Sequence, residues 1–157
     1  WLDPLQVESW GYRRKARLGV RYVNKKDKVL VGFRERKSSF ITVMERCEVL
    51  HPLLGDNLEL LGECIEKLSV KFHVPQIEVA IAELDTILIL RHLQPLTQED
   101  EIILQEYGKK LTVTWYTQSG GLETVKPLNE AVSLNYSLPD HDLKMTFLPT
   151  EDRKSVV

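Results

Sequence analysis

A two-stranded hairpin is predicted by the sequence WGYRRKARLGVRYVNKKDKVLVGFRERK, which spans residues 10–37. Apolar and basic side chains alternate along its first half, which is the pattern of a strand with one buried and one solvent-facing side. The run from Asn24 to Asp27 has the composition of a turn, and apolar residues then recur at every second position from Val29 to Phe33. The stretch therefore predicts a hairpin with an apolar inner face and a cationic outer face.

Charge is distributed unevenly along the chain. Between Gly11 and Lys37 there are eleven Lys or Arg and two acids, whereas all 157 residues hold 21 basic and 23 acidic side chains. The hairpin therefore carries a net charge of about +9 and the remainder about −11. A concentrated positive face is typical of proteins that bind polyanions. The alternative is a solvated strand face kept basic to prevent edge-to-edge aggregation, and charge alone does not choose between the two.

Length and composition indicate one globular domain. The chain has 157 residues, of which 43% are hydrophobic and 28% charged, both ordinary values. No apolar run approaches the ~20 residues that a membrane-spanning helix needs, so we expect no membrane association. Two cysteines are too few for a disulfide scaffold, which predicts a reducing, cytoplasmic setting. Because the first residue is Trp1 and not Met, we expect the chain to be a piece of a longer protein.

The rest of the sequence predicts an α+β domain. The β-branched run 39–43 is interpreted as a third strand, and leucines at helical spacing predict a helix from Leu50 to about Lys71. A second hairpin is predicted over residues 77–90, and a second helix from Thr97 to a stop at Gly108. Alternating residues between Leu111 and Phe147 predict further strands. This order favours an antiparallel or mixed β-sheet built from hairpins, with two helices packed on one face.

No complete active site is evident from residue spacing. Cys47 and His51 lie four residues apart, but no third group is evident to orient them as a catalytic dyad. A zinc site from Cys47, His51, Cys64 and His73 would match no standard ligand spacing. Cys64 falls on the apolar stripe of the predicted helix and is interpreted as a small buried core residue.

Three runs in fixed order carry a resemblance to a known family. WGYRRKARLGVRY, then GFRERKSSFI, then the single Cys in MERCEVL resemble the bacterial 23S rRNA uracil-5-methyltransferases, which form 5-methyluridine with S-adenosylmethionine. The likeness continues in ILILRHLQPLTQED and LKMTF. The resemblance implies that residues 1–157 are the single central domain of such an enzyme. It also implies that the TRAM domain and the Rossmann-like methyltransferase domain of the same polypeptide are absent from this chain.

The resemblance implies an RNA-binding site on the hairpin. Arg17 matches an arginine in the family's YRRxAR run that lies in the RNA-contacting cleft. Arg13, Arg14, Lys15 and Arg34 are assigned to the same 23S rRNA surface by charge and proximity. A guanidinium group can grip a phosphate with two hydrogen bonds or stack on an unpaired base.

The resemblance also implies cofactors in the parent enzyme. Cys47 matches the fourth ligand of a [4Fe–4S] cluster whose other three cysteines lie in a Cys-rich run upstream. The family's catalytic Cys and general-base Glu lie beyond LKMTF, where this chain reads LPTEDRKSVV and nothing corresponds to them. We therefore expect the fragment alone to be inactive and to bind neither the cluster nor S-adenosylmethionine. The alternatives are a non-catalytic RNA-binding module and an interdomain scaffold.

Overall fold

The computed structural model describes residues 8–38 and 40–150. Eight strands and three α-helices follow one another in these ranges, joined by short turns. They are β1 (Lys15–Val23), β2 (Lys28–Gly32), α1 (Pro52–Gly55), α2 (Leu58–Lys67), β3 (Gln76–Ile81), β4 (Thr86–Arg91), α3 (Gln98–Leu111), β5 (Thr114–Gln118), β6 (Lys126–Pro127), β7 (Leu134–Leu138) and β8 (Leu143–Phe147). None of the helices in this part of the chain is long and apolar enough to cross a bilayer.

Six strands form one mixed sheet in the order β2-β1-β3-β4-β5-β6, and β7 and β8 form a separate ribbon. Neighbours in the sheet are antiparallel except β4 and β5, which are parallel. A parallel pair needs a crossover connection, and α3 supplies it. The predicted α+β class and the predicted mixed sheet with two main helices on one face are both confirmed.

The two faces of the sheet are covered by different elements. On the inner face, Leu18, Ile77 and Leu88 pack with residues of α2 and α3 in the larger core cluster. On the outer face, Ile87 and Ile89 pack with residues of the β7–β8 ribbon. Strand β4 is therefore buried on both sides, as its uninterrupted apolar run predicts. The ribbon covers the β4 side of the outer face and leaves the β1 side for other contacts.

The helix predicted from Leu50 to Lys71 is wrong as one element. It is divided into α1 and α2, and the break lies at Asp56 and Asn57, which cap the two helices. Helix α2 then ends at Lys67. The leucine spacing identifies the buried residues but does not reveal the break, because the leucines of both helices pack into the same core cluster.

The helix stop predicted at Gly108 is also wrong. Helix α3 continues to Leu111 and ends at Thr112, whose φ of 55° lies in the left-handed region. Gly108 has a packing role instead, since a Cβ there would lie 3.0 Å from the carbonyl oxygen of Val113 and 3.1 Å from Trp115 Cδ1. The glycine therefore allows β5 to pack closely against α3, the helix that precedes it in the chain.

The third strand predicted at residues 39–43 does not form within the described residues. One isolated bridge joins Arg34 to Ile41, and Ser39 lies outside the described ranges. The segment crosses the outer face of the first hairpin, where Gly32 makes room for it. A Cβ at Gly32 would lie 2.8 Å from the carbonyl oxygen of Thr42.

Asp100 joins the start of α3 to the loop after α2. Its buried carboxylate accepts hydrogen bonds from the backbone of Thr97 at 2.9 Å and from the backbone and hydroxyl of Ser69, both at 2.7 Å. The Thr97 hydroxyl accepts from the Asp100 backbone at 3.1 Å, which completes a capping box. Burial acts to raise the pKa of Asp100, but the hydrogen bonds from Thr97 and Ser69 outweigh it and hold the pKa below its ordinary value.

We expect Asp100→Ala to lower the free energy of unfolding by about 2–4 kcal/mol at neutral pH, because hydrogen bonds to a buried carboxylate are lost. Since the folded-state pKa is depressed, this stabilisation is present above the unfolded pKa of about 3.9 and is lost as the pH falls through the folded pKa. Urea unfolding at several pH values measures both effects. Glu101→Ala, which removes an exposed carboxylate from the same turn, serves as the control. An equal loss in the two variants would contradict the assignment.

Candidate nucleic-acid interface

The outer side of β1 carries exposed basic residues. Lys15, Arg17 and Arg21 alternate with the buried residues Leu18 and Val20, so they project from the opposite side of the strand. The predicted hairpin is confirmed by the antiparallel pairing of β1 with β2, and its row of basic residues lies on β1. Arg21 belongs to the same alternation, although the sequence interpretation did not assign it to the site.

Arg17 is held by an acidic residue of the neighbouring strand. It lies directly opposite Glu78 of β3, and its Nη2 is 3.2 Å from Glu78 Oε1. The Arg17 side chain is 60% exposed, whereas that of Glu78 is 12% exposed. A guanidinium group has five N–H donors, so one carboxylate does not exhaust it. The ion pair orients Arg17 on the sheet surface and leaves most of the side chain open to solvent.

Arg13 and Arg14 precede β1 and make different contacts. Arg14 Nη1 donates a hydrogen bond to the carbonyl oxygen of Ala82 at 3.2 Å. The Arg13 guanidinium lies 5.5 Å from the ring centroid of Phe33, a cation–π distance. The five predicted RNA-binding residues therefore do not form one cluster. Arg14 lines a cavity near Cys47, apart from the row on β1.

Arg34 crosses the outer face above β1. A Cβ at Gly19 would lie 3.1 Å from Arg34 Cγ, so the glycine makes room for the side chain. Arg34 Nη2 donates to the carbonyl oxygen of Pro75 at 3.4 Å. Arg34 and Arg21 border the same cavity of about 260 Å³. Lys15, Arg17 and Arg21 therefore lie in one row on the outer side of β1, and Arg34 lies beside Arg21.

Cys47 faces a second cavity, of about 550 Å³, that Arg14, Arg46 and His51 also line. The thiol is free and half-buried. The Cys47 backbone N–H donates to the carbonyl oxygen of Gly55 at 2.9 Å, and a Cβ at Gly55 would lie only 2.3 Å from the Cys47 carbonyl oxygen. The end of α1 therefore holds the Cys47 loop closely.

His51 is engaged as a helix cap. Its Nδ1 accepts a hydrogen bond from the backbone of Leu53 at 3.3 Å at the start of α1. Burial and the nearby charge of Arg14 lower its pKa, which keeps the imidazole neutral at physiological pH. A neutral, hydrogen-bonded ring suits the capping role.

Cys64 lies in the core, as predicted. It is fully buried, and burial raises the pKa of its thiol to about 12. Such a thiol stays protonated at neutral pH and serves as neither nucleophile nor ligand. Within residues 8–38 and 40–150, no three His, Cys, Asp or Glu side chains come together in a way that could hold a metal ion. Cys47, His51, Cys64 and His73 are therefore not brought together as a ligand set in this part of the chain.

Comparison with known proteins identifies relatives of high similarity, although no family model matches the chain. The chain is 61% identical over 151 residues to a protein of Vesicomyosocius okutanii named 23S rRNA (uracil(1939)-C(5))-methyltransferase RlmD. Proteins of the same name from Nitrosococcus oceani and Bordetella avium are 51% and 45% identical. Each match covers 96% of this chain but only 34%, 34% and 32% of the respective relative. The chain thus spans about a third of the length of these relatives.

We expect one thiol of the native chain to react rapidly with a disulfide reagent such as DTNB at neutral pH, and two thiols after unfolding. Cys47 is half-buried and borders a cavity that a small reagent can enter, whereas Cys64 is fully buried and its thiol pKa is raised to about 12. Cys47→Ser should abolish the native reaction, and Cys64→Ala should leave it intact. Two reactive thiols in the native chain, or none, would show that the burial assignment is wrong.

Proposed function

We propose that the chain is the central domain of a 23S rRNA (uracil-C5)-methyltransferase and helps to hold 23S rRNA. Almost the whole chain is homologous to such enzymes, and it matches about a third of the length of each. The observation that supports this role is the row of basic side chains on the outer side of β1. The identity to named relatives supports the choice of rRNA over other polyanions.

Phosphate binding suits the arrangement of the outer face. Arg17 is oriented by Glu78 and presents its remaining N–H groups to solvent, so less rotamer freedom is lost when a phosphate binds. Lys15 lies two residues before Arg17 and Arg21 four residues after it, so the three positive charges form a row on one side of the strand. Contacts of this kind position an RNA without reading its sequence.

Catalysis is assigned to other parts of the parent polypeptide. In the proposed reaction, a cysteine thiolate would add to the flipped-out target uracil and S-adenosylmethionine, when bound, would supply the methyl group to C5; loss of the C5 proton to a base would then release the thiolate. The methyltransferase domain of the parent, which follows this chain, would carry those steps in the cytoplasm. The role of the present chain is to bind and orient the RNA.

Cys47 is proposed as one ligand of a [4Fe–4S] cluster in the parent. Its thiol is free and half-buried, and it borders a cavity of about 550 Å³ in which a cluster carried by another segment would meet it. The described residues do not fit a complete cluster, because they bring no three potential ligands together. The remaining ligands would therefore come from another segment of the parent, and the cluster would join that segment to the Cys47 loop.

One observation favours an interdomain scaffold as a second candidate. The Arg17–Glu78 ion pair shows that this molecule already neutralises part of its own basic face. If the chain is a scaffold, its outer face would contact an acidic neighbouring domain, and its affinity for RNA would be weak.

We expect the chain to bind 23S rRNA fragments with an affinity that falls steeply as salt is added, because bound phosphates displace condensed counterions. Arg17→Ala should weaken binding and reduce the slope of log affinity against log salt by about one. Fluorescence anisotropy across a salt series measures both quantities. Lys109→Ala, an exposed basic residue on α3, is the matched control. A salt-independent affinity, or identical slopes for Arg17→Ala and wild type, would favour the scaffold.

In the complete parent enzyme, Cys47→Ser should remove the brown absorbance of the cluster and most of the bound iron, because a hydroxyl is a poor replacement for a thiolate ligand. Absorption spectra and iron analysis of the purified protein measure the loss. Cys64→Ala should retain both signals, since Cys64 is sealed in the core. Full iron content in the Cys47 variant would rule out its role as a ligand.

A further inference from the structure

Strand β1 extends beyond its partner β3. The two strands pair only from Lys15 to Gly19, whereas β1 pairs with β2 as far as Val23. Past Gly19, the loop that leads into β3 takes over, and the Val20 backbone donates to the carbonyl oxygen of Pro75 at 3.0 Å. Two cavities of about 250 and 260 Å³ open at this overhang and share Val20, Arg21 and Pro75 in their walls.

Among the residues that the structure describes, those lining these two cavities include basic side chains and no carboxylate. Arg21 borders both cavities, Arg34 borders one, and Lys71 and His73 border the other. The cavity beside Cys47 differs, because its walls include acidic residues as well as basic ones. Asp27 lies close by, where it accepts a hydrogen bond from the Tyr22 hydroxyl, but it does not line either cavity. The overhang therefore has the charge that phosphate groups require.

Two exposed phenylalanine rings flank the same cavities. Phe40 is 63% exposed, and the Arg21 guanidinium lies 5.7 Å from its ring centroid. Phe72 is 59% exposed, and the Lys71 ammonium lies 5.4 Å from its ring centroid. The Phe72 ring also meets Tyr22 edge-on at 4.5 Å, which limits its movement. Exposed rings beside cations are the combination that binds unpaired bases by stacking.

We propose that the aromatic–basic patch, defined as Arg21, Arg34, Phe40, Lys71 and Phe72, binds single-stranded RNA, with unpaired bases stacked on the two rings and phosphates held by the cations. This inference builds on the proposed rRNA-binding function, because it extends the RNA path along β1. Arg21 lies four residues from Arg17 on the same side of the strand, a distance of ~13 Å. An acidic protein would use the charges of the patch but would gain nothing specific from the planes of the rings.

The test compares binding of two probes by the whole 157-residue chain. One probe is a fluorescein-labelled single-stranded oligouridylate, and the other is an abasic oligomer of the same length, which keeps the phosphates but offers no base to stack. Phe40→Leu and Phe72→Leu keep an apolar side chain and remove the ring. We expect each to weaken oligouridylate binding about tenfold and to leave the abasic probe unaffected. Phe40→Trp should bind oligouridylate at least as tightly as wild type.

Leu84→Ala is the control, because it removes an exposed apolar side chain from the β3–β4 turn, away from the patch. It should change neither affinity. Wild-type affinity for oligouridylate in both leucine variants would overturn the proposed patch. Equal losses of affinity for the two probes would overturn it too, because charge or packing alone would then explain binding. Tighter binding of polyglutamate than of RNA would overturn it in favour of an acidic protein partner.

The same titrations separate this inference from the function on which it builds. If Arg17→Ala weakens RNA binding while both leucine variants match wild type, the patch is wrong and the rRNA-binding proposal stands. If the leucine variants lose affinity while Arg17→Ala does not, the patch stands and the assignment of Arg17 fails. If the chain binds no RNA at low salt, both are overturned.

Discussion

The register between β1 and β3 is the constraint on which the site depends. Five residue pairs, from Lys15 opposite Ala80 to Gly19 opposite Gln76, determine which side chains face the helices and which face outward. A shift of one residue would turn Leu18 out of the core and Arg17 into it, which the hydrophobic effect strongly opposes. Burial of the inner face therefore holds the basic residues on the outer face without any contribution from the charges themselves.

The outer face of the sheet is divided between packing and binding. The β7–β8 ribbon covers the apolar side chains of β4 and β5, and its residues complete the second core cluster. On the β1 side, Gly19 and Gly32 lie opposite each other and leave room for Arg34 and for the segment that contains Ile41 and Thr42. Side chains at these two glycines would push that segment away and would separate Arg34 from Arg21.

The basic surface is partly organised by the protein itself. Glu78 holds Arg17, the Pro75 carbonyl holds Arg34, and the Phe40 ring lies under Arg21. Exposed ion pairs contribute little stability, so the value of these contacts lies in the positions that they give to the cations. A surface arranged in this way loses less conformational freedom when a polyanion binds.

Local pattern was sufficient to predict several elements. Alternation from Ala16 to Tyr22 predicts the amphipathic strand, and Thr97 with Asp100 predicts the start of α3, because strand faces and helix caps depend on residues that are close in sequence. Local pattern failed where two signals compete. Glycine is common just after the end of a helix, so the sequence predicts a stop at Gly108. In the structure the glycine lies inside α3, because β5 passes too close to the helix for a side chain at that position.

Long-range packing decided the rest. The parallel pairing of β4 with β5 and the separation of the β7–β8 ribbon are set by which apolar faces remain to be covered, and no short stretch of sequence contains that information. The same holds for the site, where Arg14 lines the cavity beside Cys47, and Phe40 and Phe72 come from distant segments to the end of β1. Sequence alone determined that a basic strand face would exist, since alternation fixes the side of each residue. Only the tertiary structure decided which side chains share that face, because strand pairing and loop packing bring distant residues together.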